Sequence, residues 1–330
     1  MLIRKYFFGF FGFVLLIVFF PLVFRPKEIL APAGESPADS AGEILGEFAA
    51  ASSASGDFSG FLPPAPAKIF LPVPAVAQTA LEVSAAGAVV LDSKSGLVLF
   101  AREADTSRPI ASLTKIVAAL ALIANHPKWQ EYSRIRDTDI RLGGSSRLLA
   151  GDELTVKDLL YLCLIGSDNG AASSLAAAVG LSQEEFVLEM NRQAALFGLR
   201  ETRFVDPVGL SRQNVSTPRE YAVLLDQALR QEIIREAAGR KEYICATRRG
   251  RQIRLNSTNE LLGQAGGDLQ MLGGKTGYTQ AAGYCFAGQF ALPGGSRVIS
   301  VIFGASQEKE RFREAEKLAL WAQDNYLWPE

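Results

Sequence analysis

Two short apolar stretches near the start of the folded part of the chain are separated by turn-forming residues. Residues 88–91 and 97–100 are built from Val, Leu, Ala and Phe, and residues 92–96 between them read Asp-Ser-Lys-Ser-Gly. Apolar runs joined by a short polar loop that ends in glycine are typical of a β-hairpin. The pattern therefore predicts two antiparallel strands at this point.

The middle and the end of the chain carry different periodicities. Helical patterns occupy the middle, at 113–124, 156–165, 171–179, 184–197 and 218–229. Strand-like runs return at 271–274, 283–291 and 297–303, and an amphipathic helix at 308–326 follows them. Strands at both ends with helices between them predict one sheet built from the two ends, with a helical lobe inserted. The predicted fold class is α/β, more narrowly α+β, with a mostly antiparallel sheet flanked by helices.

The N-terminus has a pattern of its own. Arg4 and Lys5 precede an uncharged apolar run at 6–24, close to the about 20 residues that a bilayer-spanning helix needs. The run exceeds the apolar core of a cleavable signal peptide, and no small-x-small pair follows it directly. We expect residues 1–25 to be an uncleaved membrane anchor with a cytoplasmic tip, because basic flanks stay inside. A cleaved signal peptide is the alternative.

Residues 26–80 differ from everything after them. They are rich in Ala, Pro, Ser and Gly and show no sustained apolar period, a composition typical of flexible or extended linkers. We expect a disordered tether at 26–80. The remaining residues, 81–330, have a reasonable length for one two-lobed catalytic domain.

The composition limits the possible chemistry. The net charge is −1, so no broad basic field is available to bind nucleic acid. The chain has one histidine, His126, and three cysteines without metal-ligand spacing, Cys163, Cys245 and Cys285. We expect His126 in a loop after a helix and the cysteines as buried thiols, and nothing indicates a metal or cofactor. A catalytic base must then be a Lys, Asp or Glu.

Three short motifs are candidates for catalysis: Ser112-x-x-Lys115, Ser167-Asp168-Asn169 and Lys275-Thr276-Gly277. Residues three apart on a helix share a face, so the side chains of Ser112 and Lys115 can meet. Ser112 falls in the first helical turn, where free N–H groups favour a developing anion. Lysine can activate a serine only as the neutral amine, so burial or a nearby cation such as Lys275 must lower its pKa.

Each motif is weak when taken alone. An S-x-x-K occurs about once by chance in a chain of this length, and it could be a capped helix with a solvated lysine. Ser167-Asp168-Asn169 could be a helix N-cap, and Ser257-Thr258-Asn259 is a rival S-x-N. Lys275-Thr276-Gly277 could be a surface strand end. The three together, in this order, are a signature of class A β-lactamases and penicillin-binding proteins.

The chain resembles the serine-type D-alanyl-D-alanine carboxypeptidases, the low-molecular-mass penicillin-binding proteins of peptidase family S11. The likeness runs from about Ala85 to Trp321. It includes, outside the three motifs, Pro109-Ile110-Ala111, Phe204-Val205-Asp206-Pro207-Val208-Gly209-Leu210 and Thr258-Asn259-Glu260-Leu261-Leu262. Because the last of these segments contains Thr258 and Asn259, the rival S-x-N resembles a different segment of the family's sequence from the second motif. The resemblance implies a β-lactamase/DD-peptidase-like fold.

The resemblance also implies a role for each motif residue. Ser112 would form an acyl-enzyme, Lys115 would accept its proton, and Ser167 would relay a proton to the leaving D-alanine. The substrate-binding residues would be Asn169 for the peptide, Lys275 and Thr276 for the terminal carboxylate, and Gly277 for close approach to the strand. Asn169 would also steady Lys115. The backbone N–H groups of Ser112 and Tyr278 would form the oxyanion hole.

The implied substrate is a peptidoglycan stem peptide ending in D-Ala-D-Ala, which would lose its terminal D-alanine without a cofactor. β-Lactam antibiotics would be covalent inhibitors. The chain ends soon after the closing helix, so we expect the C-terminal β-rich domain and membrane-binding tail of many relatives to be missing. The N-terminal anchor would instead hold the domain at the bacterial cytoplasmic membrane, on its periplasmic or cell-wall side.

Three alternatives stay open. An endopeptidase of the same family would cut D-alanyl cross-links with the same residues. A β-lactamase would need a further carboxylate, usually in a Glu-x-x-Leu-Asn loop, and no such loop lies between Asn169 and Lys275. A non-catalytic wall-binding scaffold is disfavoured by the intact set of motif residues.

Overall fold

The computed structural model describes residues 71–76, 80–140, 146–263 and 269–329. Residues 67–330 group into one compact unit by their contacts. The predicted anchor at 1–25 and most of the predicted tether at 26–80 lie outside the described residues. None of the described helices is both long enough and apolar enough to cross a membrane.

The described strands, in chain order, are β1 (Val73–Pro74), β2 (Gly87–Asp92), β3 (Val98–Arg102), β4 (Arg108–Pro109), β5 (Tyr132–Arg134), β6 (Glu153–Thr155), β7 (Val215–Ser216), β8 (Glu242–Ala246), β9 (Gln252–Asn256), β10 (Gln270–Thr279), β11 (Gly283–Ala291), β12 (Arg297–Ala305) and β13 (Tyr326–Leu327). The described α-helices are α1 (Thr114–Ala124), α2 (Asp137–Ile140), α3 (Val156–Ile165), α4 (Asn169–Ala178), α5 (Gln183–Leu196), α6 (Pro218–Leu229), α7 (Glu232–Ala238) and α8 (Glu310–Asn325). The six helices predicted from periodicity are confirmed.

A five-stranded antiparallel sheet in the order β10-β11-β12-β2-β3 forms the centre of the domain. Strands from the two ends of the domain join where β12 pairs with β2, with Val301 opposite Val89. The predicted hairpin is confirmed as β2 and β3. Its turn closes because Asp92 accepts a hydrogen bond from the Ser95 N–H at 2.8 Å and Gly96 takes a φ of 73°.

Alternation along the strands divides the core into two layers. Val89 of β2 belongs to the layer formed with the inserted helices, whereas its neighbour Val90 belongs to the layer beneath α8. In the second layer the ring of Phe286 on β11 meets that of Phe312 on α8 edge-on, with centroids 5.2 Å apart. The sheet is therefore covered by helices on both faces, and the prediction of an inserted helical lobe is confirmed.

The helices of the lobe begin at side-chain caps. Thr155 caps α3, Ser182 forms a capping box at the start of α5, and Thr217 caps α6 ahead of Pro218. Helix α1 has no such cap and is instead buried on every side from Thr114 to Leu122. Because α1 is the central helix of the lobe, any polar side chain on it is removed from water.

Sequence patterns miss several parts of the fold. Strands β8 and β9 form a hairpin closed at Gly250, where a cluster of arginines obscures the apolar alternation, and the short helix α7 precedes it. Strand β1 lies within the predicted tether, yet it pairs with β13. The ordered domain therefore begins before residue 81. No local pattern reveals this, because the partner strand lies at the far end of the chain.

Candidate active site

The candidate nucleophile lies at a sharp bend of the backbone. Ser112 is in the one-turn 3₁₀ helix Ala111–Leu113, which leads directly into α1. Ala111 has a φ of 49°, a left-handed conformation that is unfavourable for a residue with a Cβ. Lys115 follows one turn later, and its Nζ lies 2.8 Å from Ser112 Oγ. The two side chains meet, as their spacing predicts.

Lys115 is completely buried, and its amine contacts three oxygen atoms. Besides reaching Ser112 Oγ, Nζ donates to Asn169 Oδ1 at 2.8 Å and to the Val208 carbonyl oxygen at 2.9 Å. Both of these oxygens can only accept. A neutral amine has two hydrogens and one lone pair, so both hydrogens are matched and the lone pair is left for the hydroxyl proton of Ser112. The arrangement suits lysine acting as a base.

Burial lowers the pKa of Lys115 from its ordinary value to about 8. Negative charge at Cys163, Asp168 and Asp206 opposes this effect, because it favours the ammonium form. The Cys163 thiol is itself buried, which raises its pKa to about 12, so near neutral pH the two carboxylates are the opposing charges. At pH 7 about a tenth of Lys115 would be neutral.

The second motif forms the corner between α3 and α4. Asp168 caps α4 by accepting from the Ala171 N–H at 3.0 Å. The same carboxylate accepts from the Ser146 hydroxyl at 2.8 Å and from the Arg147 N–H at 2.6 Å. These bonds hold the corner in which Ser167 takes a left-handed φ of 55°. The N-cap interpretation is therefore correct for Asp168, and it coexists with the site.

Ser167 and Asn169 occupy different positions at this corner. Asn169 is the first residue of α4, is buried, and holds Lys115 through its amide oxygen. Ser167 is half-buried, and within the described part of the chain its hydroxyl forms no hydrogen bond with Ser112 or Lys115. Asn169 thus acts on the lysine in the free enzyme, whereas the hydroxyl of Ser167 is available to a substrate.

The third motif lies in β10. Lys275 is buried, and its Nζ donates to the Thr276 carbonyl oxygen at 3.1 Å. Burial brings the pKa of Lys275 well below its usual range, and the charge of Lys115 lowers it further. The two amines therefore oppose each other's protonation. The Thr276 hydroxyl oxygen lies 2.6 Å from that of Thr258.

Two glycines hold the nucleophile turn between them. A Cβ on Gly277 would lie 2.8 Å from the Ile110 carbonyl oxygen and 3.1 Å from Ser112 N. A Cβ on Gly209, which has a φ of 91°, would lie 2.1 Å from the Ala111 carbonyl oxygen. Only glycine permits this approach. The structure gives a further reason for Gly277, because the space beside its Cα is filled by the backbone of the nucleophile turn, while the expected close approach of a substrate stays a prediction.

Strand β10 has a free edge beside the nucleophile. Among the described strands it pairs only with β11, at one border of the sheet. Tyr278 is 53% exposed, and its ring stacks on that of Tyr284 with centroids 4.2 Å apart. Because Gly277 lies against Ser112 N, the N–H groups of Ser112 and Tyr278 belong to adjoining segments. An extended peptide could add to this edge with its carbonyl between them.

A loop supports Lys115 in a way that sequence patterns miss. Asp206 accepts from the N–H groups of Val208, Gly209 and Ser211 at 2.8, 2.6 and 2.9 Å. These bonds shape the turn whose Val208 carbonyl binds Lys115. The Asp-Pro-x-Gly sequence indicates a turn, but it cannot indicate which side chain the turn contacts.

Two further side chains fix the backbone around the site. Tyr221 on α6 donates its hydroxyl to the Leu113 carbonyl oxygen at 2.8 Å. Arg311 on α8 is only 4% exposed, and its Nη1 donates to the Gly277 carbonyl oxygen at 3.3 Å. Neither has a sequence signal, since a tyrosine on an apolar helix face and an arginine on an amphipathic helix are both ordinary.

The remaining candidate residues lie where the sequence predicts. His126 is in the loop after α1. Cys163, Cys245 and Cys285 are buried free thiols. No group of three or more His, Cys, Asp or Glu within the described ranges could hold a metal ion. These residues therefore contribute to the loop and the core rather than to the motif cluster.

Comparison with known proteins gives a consistent assignment. Residues 74–307 match the family described as peptidase S11, D-alanyl-D-alanine carboxypeptidase. The chain is 31% identical over 243 residues to a D-alanyl-D-alanine endopeptidase of Pseudomonas aeruginosa, covering 73% of this chain and 77% of the relative. It is 33% identical over 248 residues to a D-alanyl-D-alanine carboxypeptidase of Bacillus subtilis, covering 73% of this chain and 63% of the relative.

Solved structures show the same likeness. A D-alanyl-D-alanine carboxypeptidase from Mycobacterium tuberculosis is similar with a TM-score of 0.70 and 26% identity, covering 78% of this chain and 99% of that one. Penicillin-binding protein D2 from Listeria monocytogenes, in its cefotaxime-bound form, is similar with a TM-score of 0.64 and 32% identity, covering 74% and 99%. The DD-peptidase-like fold expected from the sequence is confirmed.

The burial of Lys115 predicts the pH dependence of acylation. Because only the neutral amine can take the Ser112 proton, and its pKa is about 8, the second-order rate constant for acylation by a penicillin should rise about tenfold per pH unit below pH 8 and then level off. Stopped-flow acylation between pH 6 and 9.5 measures this rise.

His126→Asn is the matched control for that profile. Asparagine tolerates the left-handed φ of 49° at this loop position, and the substitution removes the only histidine of the chain. We expect an unchanged profile. An inflection near pH 6.5 that disappears in His126→Asn would contradict the assignment of Lys115 as the base.

Gly209 and Gly277 together form a clamp on the backbone of the nucleophile turn at residues 110–112. This clamp predicts the effect of adding a single methyl group. Gly209→Ala places a Cβ against the Ala111 carbonyl oxygen, so we expect acylation to slow by about 100-fold as the turn shifts. Gly180→Ala is the control, because Gly180 has a similar φ of 76° but nothing within 4 Å of the added carbon. In urea unfolding, Gly180→Ala should lose about 1–2 kcal/mol of stability through its left-handed φ alone, and Gly209→Ala should lose more, because its Cβ also displaces the Ala111 carbonyl. Equal acylation rates in the two variants would rule out the clamp.

Proposed function

The chain belongs to peptidase family S11, the D-alanyl-D-alanine carboxypeptidases, and we propose that it removes the terminal D-alanine from peptidoglycan stem peptides through an acyl-enzyme on Ser112. The observation that carries this proposal is the 2.8 Å contact between Ser112 Oγ and the buried Nζ of Lys115. The lysine keeps its lone pair for that one hydroxyl, since its two neutral-state hydrogens are matched elsewhere.

In the first half of the reaction, Ser112 Oγ attacks the carbonyl carbon between the two terminal D-alanines. Its proton moves to Lys115 Nζ as the C–O bond forms. The negative charge on the carbonyl oxygen is stabilised by the backbone N–H groups of Ser112 and Tyr278. The proton then passes by way of Ser167 to the nitrogen of the leaving D-alanine as the C–N bond breaks. The product is an ester on Ser112.

The terminal carboxylate of the substrate also acts on the two lysines. Lys275 and Thr276 bind this carboxylate, and Asn169 binds the peptide on the other side of the scissile bond. A carboxylate beside Lys275 favours its protonated form, and that charge in turn favours the neutral form of Lys115, because the two amines oppose each other's protonation. Substrate binding would therefore help to prepare the base.

In the second half, a water molecule attacks the ester carbonyl. Lys115 takes a proton from this water, the C–O bond to Ser112 breaks, and the serine oxygen recovers a proton. The shortened stem peptide leaves. A β-lactam acylates Ser112 by the same first step, but its leaving nitrogen stays attached through the opened ring. Slow hydrolysis of the resulting ester on Ser112 would make the β-lactam a covalent inhibitor.

Endopeptidase activity on D-alanyl cross-links is the second candidate function. The relative from Pseudomonas aeruginosa carries an endopeptidase name at 31% identity. Both reactions break a bond after a D-alanyl carbonyl, so the Ser112 and Lys115 pair serves either. The difference lies in the leaving group, which is one amino acid in the first case and a second stem peptide in the other.

The proposed location is the outer face of the bacterial cytoplasmic membrane. The apolar run at 6–24 behind Arg4 and Lys5 supports a single-pass N-terminal anchor, and peptidoglycan lies on the far side of that membrane. The residues at 26–80 have the composition of a tether that would let the domain reach the wall.

The proposed reaction is tested by giving the purified protein two substrates. We expect diacetyl-lysyl-D-alanyl-D-alanine to release free D-alanine, and Ser112→Ala to abolish both this release and covalent labelling by a fluorescent penicillin. Ser306→Ala, which changes an exposed serine in the loop between β12 and α8, serves as the control and should behave like the wild type.

A cross-linked peptide dimer, analysed by mass spectrometry, decides between the two activities. Faster cleavage of the dimer than of the linear peptide would favour the endopeptidase. If D-alanine is not released, the dimer is not cleaved and the penicillin does not label the protein, the non-catalytic wall-binding scaffold is the remaining alternative.

The anchor is tested by fractionating cells that produce the full chain. We expect the protein in the membrane fraction, resistant to high salt and released by detergent, with its N-terminal residues intact by mass spectrometry. Because the apolar run carries this attachment, a variant lacking residues 1–30 should lose it. If cells that express the full-length gene yield a soluble extracytoplasmic protein lacking residues 1–30, the N-terminal run is a cleaved signal peptide instead.

A further inference from the structure

The segment Ser257-Thr258-Asn259, the rival S-x-N of the sequence, lies directly against the third motif. The Thr258 and Thr276 hydroxyl oxygens are 2.6 Å apart, a distance at which one must donate to the other. Thr276 is only 4% exposed, and Thr258 is half-buried. The hydroxyl that the proposed function assigns to the substrate carboxylate therefore has a fixed partner from another part of the chain.

Thr258 is held between the second and third motifs by its own backbone. Its N–H donates to the Ile165 carbonyl oxygen at 3.1 Å, two residues before Ser167. The preceding segment packs closely on the same corner, since a Cβ on Gly166 would lie 3.0 Å from Leu255 Cδ1. Thr258 thus joins the corner that carries Ser167 to the strand that carries Thr276.

We propose that Thr258 is a positioning residue for carboxylate recognition: its hydroxyl donates to Thr276 Oγ1, which directs the Thr276 hydrogen towards the carboxylate of the ligand. This inference rests on the proposed function. Each hydroxyl has a single hydrogen. If Thr276 gave its hydrogen to Thr258, it could not also donate to an anion. With Thr258 as the donor, Thr276 keeps its hydrogen for the ligand and becomes a stronger donor, because hydrogen bonds in a chain polarise one another.

The test compares two ligands that differ at one group: a penicillin, which carries a carboxylate, and the methyl ester of the same penicillin, in which that group is neutral. Both acylate the serine without any need for D-alanine release. For the protein with Thr258→Val, we expect the second-order rate constant for the penicillin to fall about five- to tenfold. The rate constant for the ester should stay within about twofold, and Thr258→Ser should restore the penicillin rate.

Two further variants separate positioning from a structural role. Thr247→Val removes a buried hydroxyl at the other end of the β8–β9 hairpin, which accepts from the Arg251 N–H. It should slow neither ligand. Because Thr258 acts through Thr276, adding Thr258→Val to Thr276→Val should cause no further loss for the penicillin. Thermal unfolding of every variant shows that it is folded.

The outcomes are distinct. An equal loss for penicillin and ester in Thr258→Val would mean a structural role and overturn the inference, as would no loss for either. A further full loss in the double variant would mean that Thr258 contacts the carboxylate independently, which also contradicts positioning through Thr276. If acylation behaves as expected but the linear peptide releases no D-alanine, the proposed carboxypeptidase reaction fails while the inference about Thr258 stands.

Discussion

The site depends on the removal of one lysine amine from water. An ammonium ion is strongly stabilised by hydration, so an amine enclosed in protein loses its proton more easily. Lys115 lies on a helix that is buried on every side. Its three oxygen partners match the three hydrogens of the ammonium form, and in the neutral form two of them accept the two hydrogens while Ser112 Oγ faces the lone pair. The chain can therefore use a serine without a histidine beside it. The single histidine of the chain, His126, lies instead in the loop after α1.

That constraint accounts for the tight packing around the nucleophile. Water at the amine would raise its pKa towards the ordinary value and reduce the neutral fraction, so segments that pack against the turn favour the neutral form by keeping water away. Gly209 and Gly277 do so from two sides, and both lie against the backbone of residues 110–112. The left-handed backbone conformations of Ala111 and Ser167 are also consistent with tight packing around the site. Strained non-glycine residues persist only where the surroundings over-determine them. Of the four described non-glycine residues with a positive φ, Ala111 and Ser167 lie in the two turns that carry serines of the site, and Glu103 and His126 lie elsewhere.

Local signals were enough to predict much of this arrangement, and their limits are physical. The spacing of Ser112 and Lys115 determines that they share a helix face, and periodicity located the helices and the first hairpin. Nothing local could indicate that the Val208 carbonyl would hold Lys115, because that contact joins segments 93 residues apart. The same holds for strand β1, whose partner is at the other end of the domain. The sequence was enough to assign Gly277 to the site. Its close approach to the backbone of residues 110–112, however, exists only in the folded chain.

The proposed oxyanion hole shows how a distant residue can act on the site through one peptide group. The carbonyl oxygen of Gly277 and the N–H of Tyr278 belong to the same trans peptide, so they point in opposite directions. Arg311 donates to that carbonyl oxygen and thereby holds the peptide plane. Its charge also draws electron density towards the oxygen, which makes the N–H a stronger donor. The guanidinium is buried, and its Nε lacks a hydrogen-bond partner within the described residues, so this placement has a cost in stability. Holding the peptide that would complete the proposed oxyanion hole is a physical reason for a domain to keep such an arginine on a helix outside the site.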